Sequence, residues 1–279
     1  MGPPGLSEEG PLGPRYRPPD GAADAAVGRT SAAHPDADPR LGPAYYAAPG
    51  GGWRDWWTML HPPYTAWHLA YVVIGACLAP LVNTTKLLAT LIAFFLAVGL
   101  AAHALDELHG RPLRTSIPSS VLVVVSVGSL AAAVALGAIG VAKVGWVLVP
   151  FIVAGPLLVT AYNAELFGGI VHTDAGFAAA WGAFPVLTAY VAQDGSLSIA
   201  PVVAALGAFA LSAAQRALST QARSVRRRVR RVEGTVSFTD GSVVPLDAGF
   251  VIGPIERALE YTSWSIVLLA AALAVARLG

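Results

Sequence analysis

Two short polar stretches in a largely apolar chain carry the side chains that could hold a metal ion or an anion. The first, HALDELHGRPLR at 103–114, places His103, Asp106 and Glu107 at i, i+3 and i+4. On a helix these three side chains share a face. The second, YNAELFGGIVHTD at 162–174, brings Tyr162, Glu165 and His172. Glu165 and His172 are seven apart and share a face if the helix runs on through Gly168-Gly169; otherwise His172, Thr173 and Asp174 serve as the cap of the next helix. Carboxylates and water suit magnesium, whereas two histidines with two carboxylates suit zinc, iron or manganese, and spacing does not choose between them. A third stretch, QARSVRRRVRR at 221–231, offers guanidinium groups that fork onto phosphate oxygens.

The elements that must position these residues are membrane spans. Hydrophobic residues make up 55% of the 279 and charged residues 13%, with a mean hydropathy of +0.59, against ~25% charged in a soluble domain. Crossing a bilayer takes ~20 apolar residues. Candidate runs lie at about 66–82, 87–105, 118–140, 144–163, 176–193, 197–217 and 262–278. They lack strand alternation, so the chain reads as an all-α integral membrane helix bundle of about seven transmembrane helices.

Residues 1–58, rich in Pro, Gly, Ala and Asp through most of their length, read as a disordered cytosolic tail. With no cationic start before an apolar core, that tail is expected not to be a cleaved signal. The bundle is expected over 59–218, a basic helix end, hairpin and interfacial helix over 219–260, and the last span over 261–279. The hairpin signal is GTVSFTDGSVVPLD at 234–247, turning at Asp240-Gly241. Trp53, Trp56, Trp57, Tyr64 and Trp67 are expected as interfacial anchors. Cys77, alone of its kind, is expected in the core, and a net charge of +1 argues against nucleic acid as a partner.

Charge orients the bundle. The loops after the second and sixth spans carry Arg111, Arg114, Arg216 and the arginine run, while the opposite loops carry only Lys86 and Lys143. The positive-inside rule then makes this a multi-pass protein of the cell membrane with a cytoplasmic N-terminus. All three polar stretches fall on that side, so one shared site is expected. Two blander readings stand beside it: a hydrated helix end at 103–114, and an arginine anchor on anionic lipid worth ~1 kcal/mol per residue.

The stretch HPPYTAWHLAYVVIGACLAP at 61–80 is similar to the opening of the first helix of the UbiA superfamily of intramembrane prenyltransferases. AAHALDELHGRPLR falls where that family has its first Asn-Asp-x-x-Asp motif, and WGAFPVLTAYVAQDGSLS at 181–198 resembles its helix-five segment. The resemblance runs over about 61–230. Asp106 matches the second Asp of the motif, His103 stands in place of the first, and Ala102 in place of the Asn; Glu107 has no counterpart.

The resemblance implies a transferase that moves a prenyl group from an isoprenoid diphosphate to a lipophilic acceptor. It also implies Mg2+ at Asp106 and His103, and the spacing adds Glu107, Glu165 and His172 to the candidate metal set, a transition metal being the other option. Arg111 and Arg114 are the expected contacts to that diphosphate, with Tyr162 of the second polar stretch and Arg223 and Arg227 of the arginine run as further candidate substrate contacts. The family's second aspartate motif would fall on ALSTQARSVRRR at 217–228, which has no carboxylate. Arginines stand where acids are expected, and the hairpin stands in for a helical pair, since the family has nine helices. The alternative is a membrane protein of the same build that binds metal, lipid or quinone without that chemistry.

Overall fold

Prolines and small polar residues mark where each helix begins. The computed structural model describes residues 44–279 except Pro49. Helix α1 (Trp53–Leu60) is joined to α2 (Pro62–Cys77) through His61, which holds the left-handed conformation at φ 45°. Pro62 and Pro63 then open α2, where a missing N–H costs nothing. Asn83 caps α3 (Thr84–Leu108) by accepting from Lys86 N at 3.0 Å. After α4 (Ser119–Val144) and α5 (Trp146–Asn163), Thr173 caps α6 (Asp174–Asp194) through Gly176 N at 3.0 Å. So Thr173, not Asp174, is the capping residue. Helix α7 (Ile199–Arg228), strands β1 (Thr235–Ser237) and β2 (Val243–Pro245), and α8 (Ala248–Leu278) complete the chain.

Six helices, α3 to α8, are long and apolar enough to cross a membrane. Helix α2 is shorter at 16 residues, yet it sits in the middle of the bundle. Its Trp67 and Tyr71 pack with Val186 of α6, Ala205 and Ala208 of α7 and Ile266 of α8. The other face gives Val72 and Ala76 to a second cluster with Phe94, Val98, Val159 and Trp181. Helix α4 lies outside, with Val124, Val127 and Ile139 exposed, as expected of a helix that faces lipid chains rather than water.

At Gly75 the backbones of α2 and α6 come together. A Cβ there would stand 2.2 Å from the Val186 carbonyl oxygen, so only a hydrogen lets α2 and α6 meet at this point.

The far end of the bundle, away from His61, is tied by polar bonds. The Arg277 guanidinium donates to Ala79 O and Pro80 O at 2.6 and 2.8 Å, and Lys86 Nζ donates to Gln193 O at 2.9 Å.

Three expectations change here. Residues 53–58 are helix rather than tail, because Asp55 anchors α1: its carboxylate accepts from Gly51 N and Ser116 N, each at 2.8 Å, and from Ser116 Oγ. Those bonds, Gly51 first, hold the Asp55 carboxyl below the usual range. The tail before residue 44 lies outside the described residues. Trp67 is not an anchor; it is 1% exposed and donates to the Tyr71 hydroxyl at 2.5 Å. Trp53 and Trp57 do remain exposed. Finally, no break separates an interfacial helix from the last span, since α8 runs unbroken for 31 residues through Pro254. The hairpin forms as expected, antiparallel with Val236 opposite Val244, and Gly241 takes φ 83° at its turn.

Candidate functional site

One end of the bundle gathers the polar side chains into a chamber. His61 enters from the α1–α2 joint and His103 from the last turns of α3; their rings lie 4.9 Å apart, tilted by 34°. Asp106 follows one turn beyond His103, within electrostatic reach of His103, Arg223 and His172. Tyr162, at the end of α5, lies between the His172 ring (4.4 Å, stacked) and the Trp181 ring (4.6 Å). The segment before α1 covers this end: the Tyr46 ring meets His61 at 5.0 Å and Tyr64 at 5.4 Å. That segment is held by Trp57 Nε1 donating to Tyr46 O and Ala48 N donating to Thr58 Oγ1, each at 3.1 Å. Burial pushes the Tyr46 hydroxyl up to about 12, partly opposed by Arg223, so it stays protonated.

Three histidines share one orientation. Nδ1 of His68, His103 and His172 each lies 2.9 Å from a backbone oxygen, of Trp181, Gly99 and Tyr162 respectively. A carbonyl oxygen only accepts, so each Nδ1 carries a proton, and the neutral form of each ring has its lone pair on Nε2. Two of those carbonyls, Gly99 and Trp181, belong to π-helical segments, Phe95–Ala102 of α3 and Ala178–Ala183 of α6. The widened backbone ladder of a π-segment is where a side-chain donor can enter.

Helix α7 supplies the cations. Arg216, Arg223 and Arg227 fall at i, i+7 and i+11, on one face. Arg216 pairs with Asp174 at 3.1 Å and lies over the Phe177 ring, Arg226 pairs with Glu256, and Arg227 donates to Pro112 O at 3.5 Å. Arg223 is half-buried, and its one hydrogen bond within the helix goes to Thr220 Oγ1 at 3.2 Å. Around it several buried polar atoms, among them Tyr162 Oη and His61 Nδ1, have no hydrogen-bond partner among the described residues.

Of the five expected metal ligands, His103, Asp106 and His172 border the chamber; Glu107 and Glu165 do not. Glu107 is fully buried and faces the loop after α3, accepting from Leu113 N at 3.0 Å and from Thr115 N and Oγ1 at 2.8 Å. Glu165 is exposed, because the helix ends at Asn163 and the chain turns left-handed at φ 48°. Among the described residues no group of three His, Cys, Asp or Glu is placed to hold a metal ion. The expected magnesium set does not fit, because, of its three carboxylates, Glu107 and Glu165 turn away and Asp106 alone stays beside His103 and His172.

The expected substrate contacts divide in the same way. Tyr162, Arg223 and Arg227 line or rim the chamber. Arg111 turns into its own loop, donating to Ile117 O and Ser119 Oγ at 2.6 Å, and Arg114 is exposed. His61, His68 and Tyr46 were not among the expected residues; the sequence signal for them was a histidine on either side of the first span's mouth.

An apolar crevice of about 290 Å³ lies between α3, α4, α5 and α6, walled by Ala97, Leu130, Gly137, Ile152 and Phe184. Trp181 is part of its wall and packs on Tyr162 of the polar cluster.

His61 makes this end acid-sensitive. Burial first, then the charges of His103 and Arg223, hold its imidazole well below 6.5. The unfolded chain therefore takes up a proton near pH 6.5 that the folded one refuses. Stability is full above that pH and falls below it by about 1.4 kcal/mol per unit. The melting midpoint in detergent should drop between pH 7.5 and 5.5, and His61→Gln should flatten the slope; a wild-type profile no steeper than the variant's would remove this role. Compared with known protein families, curated proteins and solved structures, the chain matches none.

Proposed function

We propose that this chain is a multi-pass membrane protein that binds an isoprenoid diphosphate and transfers its prenyl group to a lipophilic acceptor. The observation that carries this reading is that Trp181, which walls an apolar crevice, packs against Tyr162 of the histidine and arginine cluster. An amphiphile with a doubly charged head and a long hydrocarbon tail fits both halves at once. The UbiA-like stretches around His61, His103 and Trp181 point the same way.

Helix α2 is the seventh crossing in this reading. It starts at the chamber beside His103 and ends where Arg277 meets Ala79. The arginine-rich end faces the cytoplasm under the positive-inside rule.

In the transfer, the bond between the allylic carbon and the diphosphate oxygen breaks while the acceptor attacks that carbon. The acceptor proton goes to Nε2 of His103, whose imidazolium is stabilised by Asp106. Diphosphate leaves with its charge set against the α7 arginines.

The test is diphosphate release and product mass from purified protein given geranylgeranyl diphosphate and a membrane lipid extract. Release that falls roughly 100-fold in His103→Ala supports the reading. Binding without release favours the second reading, a lipid-phosphate binder without chemistry, to which the turning away of Glu107 and Glu165 lends weight. No binding at all overturns both.

A further inference from the structure

We infer that the guanidinium of Arg223 and the hydroxyl of Tyr162 seat the diphosphate head directly, so that binding needs no divalent cation. This rests on the prenyl-diphosphate reading and departs from the metal requirement that the resemblance implies.

The acids a bridging metal would need are committed elsewhere. Both Glu107 oxygens accept from the 113–115 loop, Glu165 points to solvent, and the α7 segment opposite Asp106 carries arginine and no acid. What the chamber does hold is unspent donor capacity. Tyr162 is 5% exposed, and its hydroxyl has no partner among the described residues. Arg223 lies within electrostatic reach of Tyr162, Tyr46, Arg216 and Arg227. It has no carboxylate at ion-pair distance among the described residues, whereas Arg216 and Arg226 each have one. Arg216, though paired with Asp174, and Arg227 add positive potential at Arg223, and an anion between α7 and the opposite wall relieves it. A diphosphate supplies that charge and accepts from a planar fork and a phenol at once.

The same chemistry would take a phospholipid phosphate, so the experiment needs arms that separate the sources. Calorimetric titration of the full chain in detergent is run with geranylgeranyl diphosphate, inorganic pyrophosphate and phosphatidylglycerol, each in EDTA and in magnesium. The expected result is that geranylgeranyl diphosphate binds equally, within about twofold, in both buffers. Arg223→Gln should weaken it roughly 10–100-fold and Tyr162→Phe by about tenfold, as loss of charge-assisted bonds does. Inorganic pyrophosphate should bind more weakly but with the same sensitivity to Arg223→Gln.

Tight binding only in magnesium overturns the inference and leaves the prenyl-diphosphate reading standing. No binding of geranylgeranyl diphosphate in either buffer overturns that reading and this inference together. Tighter binding of phosphatidylglycerol than of the isoprenoid assigns the seat to a lipid headgroup and overturns the diphosphate assignment. Tyr162→Phe changes one hydroxyl and no shape, so it decides the matter if Arg223→Gln fails to fold; unchanged affinity in Tyr162→Phe then overturns the seat.

Discussion

Glu107→Ala is expected to destabilise the protein by about 3 kcal/mol and to lower its detergent melting midpoint by roughly 6–12 °C. The side chain is wholly buried, and both oxygens accept bonds from the loop that turns the chain from α3 into α4. Removing it leaves two backbone N–H groups and a hydroxyl of a half-buried loop without their acceptor. Each such loss costs about 1–3 kcal/mol before relaxation. Glu107→Gln should recover part of the loss, since one oxygen still accepts. A metal ligand would behave differently: its removal would weaken binding and leave the melting of the ligand-free protein near wild type. That second pattern would return Glu107 to the site.

Gly75→Ala should be at least as damaging, about 3 kcal/mol or more. The new methyl would lie 2.2 Å from Val186 O and 2.9 Å from its Cα and carbonyl carbon, all backbone atoms that cannot swing aside. Helix α2 would have to withdraw from α6, and His61 at its head would move with it. Gly128→Ala and Gly207→Ala are the controls. A Cβ meets nothing within 4 Å at either position, and both lie inside helices. They should be neutral or gain about 0.5–1 kcal/mol. Equal melting of all three variants would mean that α2 and α6 do not meet at this point.

The spans were legible because lipid imposes a length and a polarity that few other environments do, and α3 to α8 announce both. Helix α2 was found by the same rule although it is only 16 residues long, since its flanking Leu78 to Val82 extend the apolar run. What periodicity could not supply was direction. Asp106 and Glu107 are neighbours on a helix end, yet one faces a chamber and the other a loop, a choice made by residues 111–117 rather than by spacing. Trp67 and Trp57 look alike at the mouth of a span, and only the presence of Tyr71 and Ser212 inside the bundle separates core from interface. His61 was passed over because one histidine before two prolines has no partner in sequence; its partners are 42 residues away at His103 and on α7. The arginines were legible as cations, but which of them lacks an acid is a fact of tertiary structure.

The π-segment between Phe95 and Ala102 has a consequence for how the chain can vary. An α-helix advances about 100° per residue, and a π-turn holds one residue more than an α-turn. The wide turn already absorbs that extra residue, so deleting one residue there would let α3 close as ordinary helix with the turns beyond it near their present orientation. What would go is the widened ladder in which the Gly99 carbonyl receives His103 Nδ1. The length between 95 and 102 therefore governs how the His103 ring is held more than where the end of α3 points.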